Sequence, residues 1–302
     1  MYPTDYIISK YLAESKNYAV GELNVWNDIY TGNINSDLVI YGSSRAWVHI
    51  NPKIIEDSLQ ISSYNLGIEG HNFWLQYFRH KELLKFNKKP AHIIMSLDIF
   101  TLQKRCDLYN YQQFLPFLLL NNDIYQYTSS YIGFSTFDYY IPLCRYFLES
   151  GALKAAFRSM IDCKIVPSRI RGYMGMEKNW TNDLDRAKSK VDYYEVKLDS
   201  STVNLFEKFI NECSNNNIKI TLVFSPEYIE GQFFVKNRKE IISKYQHFAN
   251  KYSLQFIDYS KDTMCMQKQF FYNSEHLNKK GSEIFTNKLI KDIRVHHGNK
   301  RL

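Results

Sequence analysis

Five short apolar runs, each closed by turn residues and alternating with stretches of helical spacing, constrain this chain more than any other feature. They fall at 38–41 ("LVIY"), 63–66 ("SYNL"), 92–97 ("HIIMSL"), 218–224 ("IKITLVF") and 254–258 ("LQFID"). Runs this short, apolar and β-branched read as buried strands. Helical patterns follow at 52–58, 72–86, 200–215, 238–252 and 279–295. Strand alternating with helix predicts a parallel sheet covered on both faces and joined by right-handed crossovers. One segment, about 101–199, carries aromatic and helical stretches without a clear strand and reads as a helical insertion. The first 35 residues read as a helical lead-in, which leaves 36–302 as one domain.

Composition removes several function classes. Thirty-eight lysines and arginines against 31 acidic residues give a net charge of +7, but the cations are dispersed, so no nucleic acid is expected as a partner. No run approaches the roughly 18 apolar residues that span a bilayer. The stretch "MYPTDYIISKYLAESK" has neither the basic start nor the apolar centre of a signal peptide. Five cysteines, at 106, 144, 163, 213 and 265, form no CxxC pair and have no nearby histidine at ligand spacing. They read as free thiols, with no metal site and no disulfide framework. The unusual figure is 16% aromatic residues, more than a minimal core requires.

In an open parallel sheet, ligands bind beyond the carboxyl ends of the strands. The loops at 42–45, 67–72 and 96–100 and the segment after 258 therefore draw the search for a site. In "DLVIYGSSRAWVHI" the first strand ends in two adjacent serines, Ser43 and Ser44. A serine hydroxyl is a poor nucleophile until a base takes its proton. The chain supplies one candidate base in "FFYNSEHLNKKGSEIF", where His276 precedes the last helical pattern. A histidine after the last strand and a serine after the first can meet across one sheet edge.

Four blocks together resemble the SGNH, or GDSL-type, hydrolases: the glycine-serine turn after the first strand, "NLGIEGHN" after the second, the polar strand end "MSLDIF" after the third, and "HLNKKG" near the end. Within that superfamily "GSSR" and "HLNKKG" look closest to bacterial proteins that move or remove acyl groups on cell-envelope polymers. The resemblance covers roughly 36–100 and 216–293 and leaves the insertion unmatched. It implies an α/β fold, a flavodoxin-like three-layer sandwich with a five-stranded parallel sheet and a helical insertion. It implies Ser44 as nucleophile, His276 as base, and the backbone N–H groups of Ser44 and Gly70 as an oxyanion hole. No metal or other cofactor is implied. The expected substrate is an acyl ester of a carbohydrate or envelope polymer. The expected location is extracytoplasmic, through an anchor upstream of the given residues.

Two departures from the family pattern matter. Where the family has D-x-x-H, this chain has Asn273-Ser274-Glu275-His276; an amide can fix the histidine tautomer but brings no charge to an imidazolium. Where the third block offers an asparagine, the chain has Asp98, a poor oxyanion donor when ionised, so Asn72 or His71 is the substitute donor expected. Ser43 reads as a helix cap, and Gly70 reads equally as a turn glycine. Arg45, Asp98 and Trp180 are expected to touch substrate, with a structural salt bridge the other reading of Arg45 and a loop-holding role the other reading of Asp98. The rival function is a catalytically weak or inactive glycan-binding protein on the same scaffold. A nucleotide site is not expected, because no strand is followed by GxGxxG or GxxxxGK[ST].

Overall fold

The computed structural model describes residues 1–19, 21–70 and 73–296, with side chains through Ile293. The expected strands form one sheet: β1 (Leu38–Tyr41), β2 (Ser63–Asn65), β3 (His92–Leu97), β4 (Lys219–Phe224) and β5 (Gln255–Asp258). All neighbours pair in parallel, in the order β2-β1-β3-β4-β5. That is the flavodoxin-like order, whose switch point lies between β1 and β3, and the α/β sandwich is the fold class that the strand pattern predicts.

The helices, in chain order, begin with α1 (Tyr2–Ala13), α2 (Glu22–Tyr30), α3 (Ser44–His49), α4 (Pro52–Leu59) and α5 (Phe73–Phe86). The insertion supplies α6 (Asn122–Thr128), α7 (Thr136–Tyr140), α8 (Ser150–Met160) and α9 (Asp183–Lys188). The sheet is then completed with α10 (Ser200–Asn215), α11 (Ile229–Phe233), α12 (Arg238–Tyr252) and α13 (Lys279–His296). Local chemistry explains the boundaries. The Asp199 carboxylate accepts the Thr202 N–H at 2.7 Å and caps α10, whose buried Leu205, Phe206, Phe209, Ile210 and Cys213 recur at helical spacing.

The chain divides into two compact units. The sheet unit comprises Asn35–Phe73, Lys89–Lys104 and Tyr173–Leu302. One core of this unit gathers Ile40, Ile94 and Val223 of the sheet with Ala46 and Ile50 around α3 and Phe285, Leu289 and Ile293 of α13. At about 1.5–3 kcal/mol for each large side chain removed from water, this packing fixes where α3 begins.

The second unit is Met1–Ile34, Trp74–Lys88 and Arg105–Gly172. The lead-in therefore groups with 105–172 of the insertion, while 173–199 belongs with the sheet; apolar packing, which no strand pattern encodes, decides that division. At its centre Trp26 meets Phe78 and Phe114 at 5.5 and 5.6 Å. The Glu22 carboxylate there holds the buried Arg79 and Arg169, each at 2.8 Å.

Candidate active site

The turn after β1 is forced by close packing. Gly42 has φ +141°, and a Cβ on it would lie 2.4 Å from the Ser96 carbonyl oxygen, so only glycine fits. Ser43 is the cap of α3, its Oγ accepting the Arg45 N–H at 3.2 Å. Ser44 thus becomes the first residue of the helix, and its own N–H has no partner among the described residues. Gly67 lies so near that a Cβ would come within 2.7 Å of the Trp47 nitrogen. This contact, with the Ile68 N–H on the Gly42 oxygen at 2.9 Å, brings the loop after β2 against the serine turn. In that loop Gly70 has φ +86°, and its N–H likewise has no partner among the described residues. Asn72 and His71, the expected substitute donors, lie outside the described residues.

His276 arrives from the other side of the switch point, on a tight loop closed by the Tyr272 N–H on the His276 oxygen at 3.0 Å. The Asn273 Oδ1 accepts three bonds: from the backbone N–H of Glu275 at 3.1 Å, from the backbone N–H of His276 at 2.8 Å, and from His276 Nδ1 at 3.0 Å. Two of these donors are backbone amides, which can only donate, so the atom they face is the amide oxygen. An oxygen there obliges Nδ1 to carry the ring proton. The lone pair is left on Nε2, which lies 2.8 Å from Ser44 Oγ. The site therefore holds a hydroxyl, a neutral imidazole and an amide in series, with no carboxylate behind the ring.

Electrostatics reinforce the neutral ring. Burial, followed by the positive charge of Arg45, pushes the His276 pKa down to about 3, against the opposing pull of Asp98 and Asp183. The neighbouring Glu275 moves the other way, up to about 7, through burial and then the Glu227 carboxylate, with Arg45 opposing. A carboxyl poised at neutrality beside a candidate base is the kind of perturbation found at functional sites.

The three expected substrate contacts are engaged elsewhere. Arg45 is buried: Nη1 is 2.5 Å from Glu227 Oε1, and Nη2 donates to the Ser225 oxygen at 2.5 Å. Arg238 holds the other Glu227 oxygen. The guanidinium therefore anchors the serine helix to the loop after β4 instead of facing a ligand, the salt-bridge alternative. Asp98 is buried too; its Oδ1 accepts the Phe100 N–H at 2.7 Å and its carbonyl oxygen accepts the Tyr245 hydroxyl at 2.7 Å. It holds its own loop and reaches His276 only as a charge. Trp180 packs edge-on against Tyr228 at 5.0 Å, with Lys268 Nζ 4.5 Å from its ring centroid, and is half-buried against the sheet core.

Two residues not singled out by sequence reasoning complete the surroundings. Tyr272 stacks on the His276 ring, centroids 5.3 Å apart and planes 15° from parallel. His49, the last residue of α3, is fully buried, and its Nε2 accepts the Leu277 N–H at 3.0 Å. One helix of six residues thus carries Ser44 at its start and grips the chain just after His276 at its end. Burial, then Arg45 and His276, drives the His49 pKa well below normal, so it remains an acceptor through the working pH range. The only advance signal was a histidine directly after the apolar run Ala46-Trp47-Val48. His49→Ala is expected to lower turnover about 10- to 100-fold by loosening His276, with KM little changed, and His49→Gln to recover part of it; steady-state kinetics checks both.

No protein-family model matches the chain, and no curated protein matches it. Solved structures do. The chain is similar to a proposed lipolytic protein of the G-D-S-L family from Desulfitobacterium hafniense, with TM-score 0.41 and 11% identity over 84% of this chain and 98% of that one. It is also similar to a proposed acylhydrolase from Bacteroides fragilis, with TM-score 0.35 and 14% identity over 85% and 86% of the two chains. A third is a GDSL-like lipase from Bacteroides thetaiotaomicron, with TM-score 0.35 and 12% identity over 85% and 88%.

Proposed function

We propose that the protein is a serine esterase or O-acyltransferase of the SGNH type, acting on acyl esters of a carbohydrate or cell-envelope polymer. The observation that carries the reading is the series from Ser44 Oγ to His276 Nε2 at 2.8 Å and from His276 Nδ1 to Asn273 Oδ1 at 3.0 Å. In this reading Ser44 Oγ attacks the ester carbonyl carbon while its proton passes to Nε2. The resulting oxyanion takes hydrogen bonds from the N–H groups of Ser44 and Gly70, both without a partner among the described residues. Collapse expels the alcohol, which leaves with the proton from the imidazolium, and an acyl-Ser44 ester remains. Water or a sugar hydroxyl, deprotonated in turn by His276, then resolves it. The envelope substrate and an extracytoplasmic location rest on the likeness of "GSSR" and "HLNKKG" alone. Among the described residues no helix is long and apolar enough to cross a membrane.

A second reading, a glycan-binding protein with little turnover, is favoured by the missing carboxylate at Asn273. A fluorophosphonate probe separates the two. The esterase reading expects an adduct on Ser44, located by peptide mass spectrometry, that is lost in Ser44→Ala and falls at least about 10³-fold in rate in His276→Ala. No adduct on a folded protein would favour the binder.

A further inference from the structure

The second unit exposes most of the large apolar side chains that face solvent, although it is the smaller of the two. Its helix α8 is inverted. A water-facing helix buries its large apolar residues and shows polar ones, but α8 buries Ala152, Ala155 and Ala156 and presents Leu153, Phe157 and Met160, which are 38%, 57% and 46% exposed. These three, at i, i+4 and i+7, form one outward stripe. Its partner α1 behaves alike. It buries Asp5 and Leu12, with the Asp5 carboxylate spent on Arg145 at 2.7 and 2.8 Å, and it presents Tyr2, Tyr6 and Ile7. The two helices pack together. They run in the same direction, because Asp5 meets Arg145 ahead of α8 while the Asn17 carbonyl oxygen accepts the Ile165 N–H at 2.7 Å beyond it.

Charge says what such a face would meet. The helix α8 contains no acidic residue; of the two that flank it, Glu149 accepts from Tyr111 and Gln112 at 2.5 and 3.0 Å, and Asp162 accepts from the Tyr18 hydroxyl and lies 3.5 Å from Lys164 Nζ. Lys154 and Arg158, one turn apart along the flank of the stripe, and Lys10 in the last turn of α1 have no carboxylate partner among the described residues. An apolar stripe flanked by cations, with tyrosines near one end, is the pattern of a helix lying in a bilayer interface. We propose that the face formed by α1 and α8 docks on an anionic lipid surface, its apolar side chains entering the headgroup boundary and its lysines and arginine reaching lipid phosphates. The proposal does not rest on the esterase reading.

The test is co-sedimentation of the full chain with extruded vesicles of phosphatidylcholine alone and of phosphatidylcholine with phosphatidylglycerol. Wild type should partition onto the phosphatidylglycerol vesicles and be released by added salt. Leu153→Ser/Phe157→Ser should lower that partition about 100-fold, and Lys154→Gln/Arg158→Gln about tenfold or more, with no effect on phosphatidylcholine alone. The substituted side chains are exposed or half-buried, and circular dichroism verifies the fold. Absence of binding to both vesicles, or binding that neither pair of substitutions alters, overturns the proposal. So does a dimer by light scattering that Leu153→Ser/Phe157→Ser converts to monomer, which would assign the face to a second copy of the chain.

Discussion

Replacing Asn273 by aspartate is expected to raise the turnover of an activated ester such as p-nitrophenyl acetate about 10²- to 10⁴-fold, the reverse of the loss seen when a triad aspartate becomes an amide. The geometry is already suited to a carboxylate. Three N–H groups converge on the Asn273 oxygen, and aspartate is nearly isosteric with asparagine, so the loop need not move. The charge changes. In the proposed mechanism, attack by Ser44 would leave a proton on His276, and a ring held near pKa 3 by burial and Arg45 accepts that proton reluctantly. A carboxylate at Nδ1 stabilises the imidazolium and with it the transition state.

The pH profile provides an independent sign. The ring must be neutral to act as base, so the wild-type rate should hold from neutrality down towards pH 3, far below the limb near 6.5 of an ordinary histidine. Adding an opposite charge raises the histidine pKa. In Asn273→Asp the acid limb should therefore move to higher pH while the plateau rises. Rate–pH profiles of both proteins check this, and a variant that is neither faster nor shifted would remove Asn273 from the relay.

What the sequence made legible and what it hid follow from how local each signal is. The strands were readable to within one residue at either end because a buried parallel strand is a continuous apolar run, and the helices at 200–215 and 238–252 have the bounds that their periodicity predicts. Ser43 was readable as a cap because capping acts over two or three residues. Arg45 beside a candidate nucleophile suggested a substrate contact, but its partner Glu227 is 182 positions away, and nothing local announces such a pair. Asp98 misled for the same reason, its Tyr245 contact lying 147 positions off. His49 was hidden because a buried histidine gripping a backbone amide is indistinguishable in sequence from any core histidine.

Arg45→Met is expected to cost about 3–5 kcal/mol of stability, because it leaves a buried carboxylate with one of its two cations gone. Glu227 would retain only Arg238, and the Ser225 oxygen would lose its charged donor. In a chain of this length the loss should lower the midpoint of thermal unfolding by on the order of 10 °C. Arg45→Met/Glu227→Gln, which removes the uncompensated charge, should recover part of that loss, as calorimetry would show. The catalytic signature is separable from the structural one. Arg45 lowers the His276 pKa, so its removal should move the acid limb upward in the single and the double variant alike. Stability partly recovered with the limb still displaced is the outcome that makes Arg45 a positioning and charge-setting residue of the serine turn. An unmoved limb in both variants would reduce it to an anchor for α3.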